Sequence, residues 1–400
     1  MRIGILREEK IPSDDRVVLS PQQCLRFIEK FPSVELFVQS SNIRCFKDTE
    51  YKDSGIKIVD NLIDCDILFG IKEVPIDKLI PNKTYFFFSH TIKKQEYNRE
   101  LFQALVKKNI SMIDYELLKD SRGKRLLGFG RYAGIVGAYN GLLTYGLKTG
   151  KYRLKAAHLC ENKEQMEGEL KYLNFANEKI IVTGKGRVGY GILETLQKAK
   201  IKEVSKEDFL NKTFESVVFV HLETMDYNTR IDEATSDKYD FYKHPELYKS
   251  NFMQFAKYAD IFIAGHYYSP GSPFLFTRDD VKSEDFKINV IADISCDIDG
   301  PVASTIRASH IDNPIYGYNP ITEKEDDFLK DNVIAVMAVS NLPSELPKDA
   351  SEDFGENLLR RILPLVINED KDGIIENATI CKKGNLTPSF EYLRDYLNGF

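Results

Sequence analysis

A chain of 400 residues, 42% hydrophobic and 29% charged, is long enough for two folded domains, each with its own buried interior. A formal charge of −6 excludes a protein built around the nucleic-acid backbone, which demands a basic face, and no apolar run approaches a bilayer span. The opening Met1 to Leu6 has no secretory pattern, and the six cysteines show neither a CxxC pair nor metal-ligand spacing, so a cytoplasmic chain with reduced thiols, no metal and no membrane or nucleic-acid partner is expected.

In chain order, short apolar runs alternate with amphipathic stretches. Residues 2–6, 35–38, 66–71 and 84–89 are predicted strands, and 21–30 (Cys24, Phe27, Ile28) and 96–107 (Leu101, Leu105, Val106) are predicted helices. Strands alternating with helices imply a parallel sheet. A long helix is predicted from about Ala133 through Ala138, Leu142 and Leu143, with Gly134, Gly137 and Gly141 permitting close packing, as a connector between domains. A second unit opens at Lys179 with the strand 180–183, the glycine turn Gly184-Lys185-Gly186-Arg187-Val188-Gly189 and a helix through Ile192, Leu193 and Leu196. Strands at 216–220, 261–264 and 290–294 follow, around a polar, aromatic stretch at 237–258. The tail places Leu358, Leu359, Ile362, Leu363 and Val366 at helical spacing, kinked at Pro364, and is expected to rejoin the first domain. The expected fold is α/β, with two Rossmann-like doubly wound domains and a cleft between them: residues 1–133 plus 345–400 for substrate and catalysis, and 134–344 for a dinucleotide.

The glycine turn follows an apolar strand and opens a helix, so backbone N–H groups and the helix dipole converge on an anion such as a pyrophosphate. Gly184, Gly186, Arg187, Val188 and Gly189 are the expected cofactor contacts. An acidic ribose partner belongs about twenty residues on, at the end of the next strand, where Ser205 and Lys206 stand instead. That pair suits a 2′-phosphate and favours NADP over NAD, although Glu203 or Glu207 can reach a ribose hydroxyl. Asp293 closes a strand of the same unit and is expected to face the nicotinamide ribose. In the first unit, Lys72 follows the strand Ile67-Leu68-Phe69 and His90 follows Tyr85 to Ser89, which puts two titratable groups at one sheet edge, where ligands bind in this architecture. Arg7 and Arg16 bracket residues 8–15, and either can clamp a carboxylate. Asp114 and Glu116, after the strand 110–113, read equally as tuning acids or as capping acids.

Several segments carry a resemblance. Met1 to Pro21, with Arg16-Val17-Val18-Leu19-Ser20-Pro21, resembles the N-terminal domain shared by alanine dehydrogenases, transhydrogenases and lysine-forming saccharopine dehydrogenases. Residues 70–75, Phe88-Ser89-His90, Gly130-Arg131-Tyr132-Ala133-Gly134 and residues 341–347 look like the saccharopine dehydrogenase branch. Residues 240–248, 291–297 and 311–320 are similar to the lysine–2-oxoglutarate reductase half of the bifunctional lysine-degrading enzyme. The resemblance implies an NAD(P)-dependent enzyme that condenses lysine and 2-oxoglutarate to an imine and reduces it reversibly to saccharopine. It implies Lys72 and His90 as the acid–base pair, Arg16 and Arg131 as substrate ligands, and Glu73 and Glu116 as acids that modulate the pair. Three departures stand out: Phe400 ends the chain before a second enzyme, the family's opening lysine lies slightly later than Lys10, and the ribose position lacks an aspartate. An alanine-dehydrogenase-like oxidoreductase and a non-catalytic nucleotide sensor are the alternatives; an oligomer is allowed.

Overall fold

The structure is a computed structural model that describes residues 1–235 and 237–400. It divides into two compact units, Met1–Phe129 with Pro347–Phe400, and Gly130–Leu346.

In the first unit the chain lays down β1 (Arg2–Ile5), β2 (Glu35–Gln39), β3 (Lys57–Val59), β4 (Ile67–Phe69), β5 (Thr84–Phe87) and β6 (Ser111–Asp114), all paired in parallel. β1 lies between β2 and β4, with Ile5 opposite both Val38 and Phe69. Successive side chains of a strand point to opposite faces, and both faces here are apolar. Phe69, Phe86 and Ile113 enter one core with Cys24 and Phe27 of the helix Pro21–Lys30, while Leu68, Tyr85, Phe87 and Met112 enter another with Leu101 and Leu105 of the helix Arg99–Lys107. Ser20 starts the first of these helices: its hydroxyl accepts from the Gln23 amide, the Gln23 side chain accepts from the Ser20 amide, and Pro21 fills the first helical position.

The second unit adds β7 (Lys179–Thr183), β8 (Lys202–Glu203), β9 (Val218–Leu222), the hairpin β10 (Asn228–Arg230) and β11 (Tyr248–Ser250), then β12 (Ile261–Ala264), β13 (Val290–Asp293), β14 (Ile315–Asn319), β15 (Lys324–Asp326) and β16 (Ile334–Met337). Its eight-stranded sheet runs β15-β14-β16-β13-β12-β7-β9-β8, with β14 and β15 antiparallel. The long helix is Gly130–Thr149 and belongs to this unit, so it is not the connector expected from its glycines. Those glycines serve packing inside the unit. A Cβ on Gly134 would fall 2.0 Å from the Val188 carbonyl oxygen, so only glycine lets this helix approach the one that follows β7.

The tail rejoins the first unit. The helix Pro347–Asn357 runs through a wider, π-type turn at Leu358–Ile362 into Leu363–Ile367, in agreement with a proline at 364 that has no amide to donate. Phe354, Leu358 and Ile362 join the core of Phe27, and β17 (Thr379–Lys382) and β18 (Asn385–Leu386) extend the sheet antiparallel beyond β6. Among the described residues no helix is long and apolar enough to cross a membrane.

Phe354 is 1% exposed and stacks on Phe129 at 4.7 Å. Phe354→Ala should therefore cost roughly 3–5 kcal/mol in denaturant unfolding, whereas Tyr392→Ala, at a side chain 55% exposed, should stay within about 0.5 kcal/mol.

Candidate active site

Four neighbouring parallel strands, β1, β4, β5 and β6, end at one edge of the first sheet, and the segments after them carry the titratable groups. β1 continues as Leu6, whose amide bonds the Phe69 carbonyl, and then as Arg7 and Glu8. Glu8 is buried, and its carboxylate accepts the amides of Ile71 (2.7 Å) and Lys72 (2.8 Å), fastening the turn after β4. Burial pushes the Glu8 carboxyl up to about 8, against those two bonds, which favour its charged form.

Lys72 stands on that turn. Burial, and then the Arg16 charge, lower its ammonium below the ordinary lysine range. Among the described residues the side chain makes no hydrogen bond or ion pair, so its nitrogen is open to a ligand. The next residue, Glu73, receives two partners: Nδ1 of His90 at 2.7 Å and the Lys10 ammonium at 2.6 Å. Burial opposes its ionisation, but these two bonds outweigh it and hold the carboxyl at about 2. An ionised carboxylate only accepts, so Nδ1 of His90 carries the hydrogen in its bond to Glu73. His90 itself has φ +55°, a backbone state uncommon outside glycine, and hangs on Ser89, whose amide and hydroxyl both donate to Asp114 at the end of β6 (3.0 and 2.6 Å).

Arg16 is buried, stacked 4.1 Å over Phe129 and paired with Asp14 through bonds of 2.8 and 2.6 Å. Both residues act electrostatically on Lys72. Glu116 sits after β6 as expected but faces Arg125 (3.2 Å) and Lys93 (4.0 Å). Arg131 lies in the other unit, where its guanidinium grips Glu194, on the helix after the glycine turn, through bonds of 2.9 and 2.8 Å. Residues 7–10 form no periodic pattern, so sequence reasoning missed Glu8 and left Lys10 without a partner.

In the second unit Gly184 has φ +91°, and Gly186 caps the helix Arg187–Lys198 with open space where its side chain would be. A Cβ at Gly189 would fall 1.8 Å from the Gly184 carbonyl oxygen, so the turn closes only without one. His221 on β9 donates from Nε2 to that same oxygen (2.8 Å) and pins the turn. Helix-terminal amides beside a cradle that side chains would fill suit a dinucleotide pyrophosphate. Arg187 and Val188, partly exposed, begin the helix.

The expected ribose position is corrected by strand order. β8 is not the neighbour of β7, because β9 lies between them. The strand end beside the turn is therefore Leu222, whose carbonyl accepts the Gly184 amide, followed by Glu223. Ser205 instead caps the helix Lys206–Asn211, Lys206 pairs with Asp226, and Lys185 lies 3.7 Å from Glu223. Asp293 is fully buried and takes the Thr305 hydroxyl (2.7 Å) and the Cys296 amide (3.1 Å), which occupy it within its own loop; burial pushes its carboxyl up to about 6. No cluster of three or more metal-ligating side chains occurs among the described residues.

The model of the alanine dehydrogenase/PNT N-terminal domain matches residues 4–136, and that of the C-terminal domain matches residues 154–389. The alpha-aminoadipic semialdehyde synthase of Arabidopsis thaliana is 28% identical over 98% of this chain and 41% of its own length, and the mitochondrial mouse protein of that name is 28% identical over 98% and 47%. The chain thus spans less than half the length of these relatives. A saccharopine dehydrogenase [NAD(+), L-lysine-forming] of Yarrowia lipolytica is 26% identical over 90% of this chain and 91% of its own. Among solved structures, an L-alanine dehydrogenase aligns over 99% of this chain and all of its own at a TM-score of 0.67 and 16% identity, a likeness of fold.

Because Glu73 ionises more readily in the folded chain than in an unfolded one, its stabilisation is complete above its ordinary pKa of 4.5 and is lost as pH falls toward about 2. Glu73→Gln should flatten the acid limb of a melting-temperature profile between those values, and an unchanged limb would contradict the ion-pair geometry.

Proposed function

The chain belongs to the alanine dehydrogenase/PNT family, and on that premise we propose that it is a nicotinamide-dependent oxidoreductase of the saccharopine dehydrogenase (L-lysine-forming) type. The observation that carries the reading is the cluster of Lys72, Glu73, His90 and Lys10 at one sheet edge, which offers two proton-exchanging groups in different electrostatic surroundings. In the condensing direction the ε-amine of lysine attacks the ketone carbon of 2-oxoglutarate, a carbinolamine forms, and water leaves to give an imine. The dinucleotide, when bound, supplies the hydride that reduces this imine.

Lys72, with its lowered proton affinity, takes the proton that the ε-ammonium must lose before it can attack. Nε2 of His90 delivers a proton to the carbinolamine oxygen as it departs, and Glu73 stabilises the imidazolium that makes the delivery possible. Arg16, held by Asp14 next to Lys72, offers positive charge to a keto-acid carboxylate. Gly184, Gly186 and Gly189 would hold the pyrophosphate.

NAD is the proposed dinucleotide. It is the cofactor in the names of the lysine-forming relatives, and the strand order supports it: Glu223 stands beside the turn, and the lysines nearest to it are each matched by an acid. Glu223→Ser should shift the ratio of NAD to NADP dissociation constants toward NADP by about tenfold, ~1.4 kcal/mol, in fluorescence titration; an unmoved ratio removes Glu223 from the ribose site.

Lys72→Met and His90→Gln should each lower turnover with lysine, 2-oxoglutarate and NADH by roughly 10²-fold or more, with dinucleotide affinity nearly intact. Wild-type oxidation of NADH with pyruvate and ammonia but not with lysine and 2-oxoglutarate would replace this reading by an alanine-dehydrogenase-like one.

A further inference from the structure

A cavity of about 620 Å³ opens in the first unit beside the segment that follows β1, with Arg7, Glu8, Glu9 and Lys10 in its wall. Two of these residues tie it to the acid–base cluster, since Glu8 holds the Lys72 amide and Lys10 pairs with Glu73. The other two take no part in proton transfer. Arg7 and Glu9 face one another at 3.1 Å with side chains 35% and 25% exposed. Nη1 of Arg7 reaches the Ser40 carbonyl only at 3.5 Å, and Nε is buried without a hydrogen-bond partner among the described residues. A buried donor left without a partner is destabilising, and a partly exposed ion pair contributes little. A ligand that pairs with both side chains can therefore displace their mutual contact at little cost.

The chemistry of the proposed reaction calls for such a ligand. A lysine whose ε-nitrogen reacts at Lys72 and His90 carries its α-ammonium and α-carboxylate on a Cα five bonds away, roughly 6 Å in an extended chain. That head group is a zwitterion, and it needs an acid and a cation side by side, away from the reacting carbon. We infer that the cavity is the subsite for the α-amino-acid head group of the amine substrate, with the carboxylate on Arg7 and the ammonium on Glu9. The inference rests on the proposed reaction and states where its amine donor is recognised. It also separates an enzyme that joins two amino-acid skeletons from one that uses ammonia, which has no head group to seat.

The test uses the full chain with Arg7→Met and Glu9→Gln, and norleucine, which keeps the head group and the chain length but has no ε-amine. Each variant should raise KM for lysine and Ki for norleucine by at least about tenfold while kcat stays within about twofold and KM for 2-oxoglutarate is unmoved. Unchanged lysine KM and norleucine Ki in both variants would overturn the subsite, as would an equal rise in KM for 2-oxoglutarate, which would mark a general distortion. If wild type does not turn over lysine with 2-oxoglutarate, the reaction fails on its own. Calorimetric titration of norleucine into wild type and variants then judges the subsite separately, with binding that both variants weaken as the supporting result and absent or unweakened binding as the overturning one.

Discussion

Parallel pairing of β1, β4, β5 and β6 is the constraint on which the candidate site depends. Each strand delivers its C-terminal end to the same edge, so residues far apart in sequence arrive together: Glu8 after β1, Lys72 and Glu73 after β4, His90 after β5, Asp114 and Glu116 within and after β6. Register matters as much as direction. Phe69 is opposite Ile5 and Phe86, so the turn after β4 emerges level with the segment after β1, and the Glu8 carboxylate meets the Ile71 and Lys72 amides. A slip of one residue would turn every apolar side chain of a strand to the wrong face, which is why two buried cores specify this alignment so strongly.

The charges gathered at that edge are affordable only in combination. An isolated buried ion is costly, and removing one partner of a buried pair strands the other. Glu73 is balanced by Lys10 and His90 and Arg16 by Asp14, while Glu8, which burial pushes toward its neutral form, accepts two backbone amides. Lys72 is the exception. It is desolvated beside a guanidinium and has no hydrogen bond among the described residues, and burial and the Arg16 charge lower its proton affinity against the pull of Asp14 and Glu73.

In the second unit the decisive feature is topological. β9 stands where the chain's own order would have put β8, and it brings two groups to the glycine turn: His221, which holds the Gly184 carbonyl, and Glu223, which stands over the turn opposite Lys185. The helix Gly130–Thr149 buttresses the same turn from behind, since Gly134 leaves room for the Val188 carbonyl. The glycine turn, the groups on and after β9 and the buttressing helix thus come from three separated stretches of chain.

The amino-acid sequence determined the parts whose causes are local. Apolar runs of four or five residues separated by helical periodicity specify parallel strands, the glycine spacing after Thr183 specifies a turn that closes without side chains, and Lys72 and His90 are legible as strand-end groups because the strands before them are. Ser20, Pro21 and Gln23 announce a helix start by chemistry within four residues. What the tertiary structure alone decided are the pairings between distant segments. Glu8 lies in no motif and joins the site only because β1 is the neighbour of β4; Glu223 comes beside the glycine turn, and Ser205 and Lys206 do not, only because β9 inserts beside β7; Arg131 turns to Glu194 because its helix packs on the one after the glycine turn. Strand order is set by which hydrophobic faces pack best across the whole sheet, a non-local sum that no window of sequence contains.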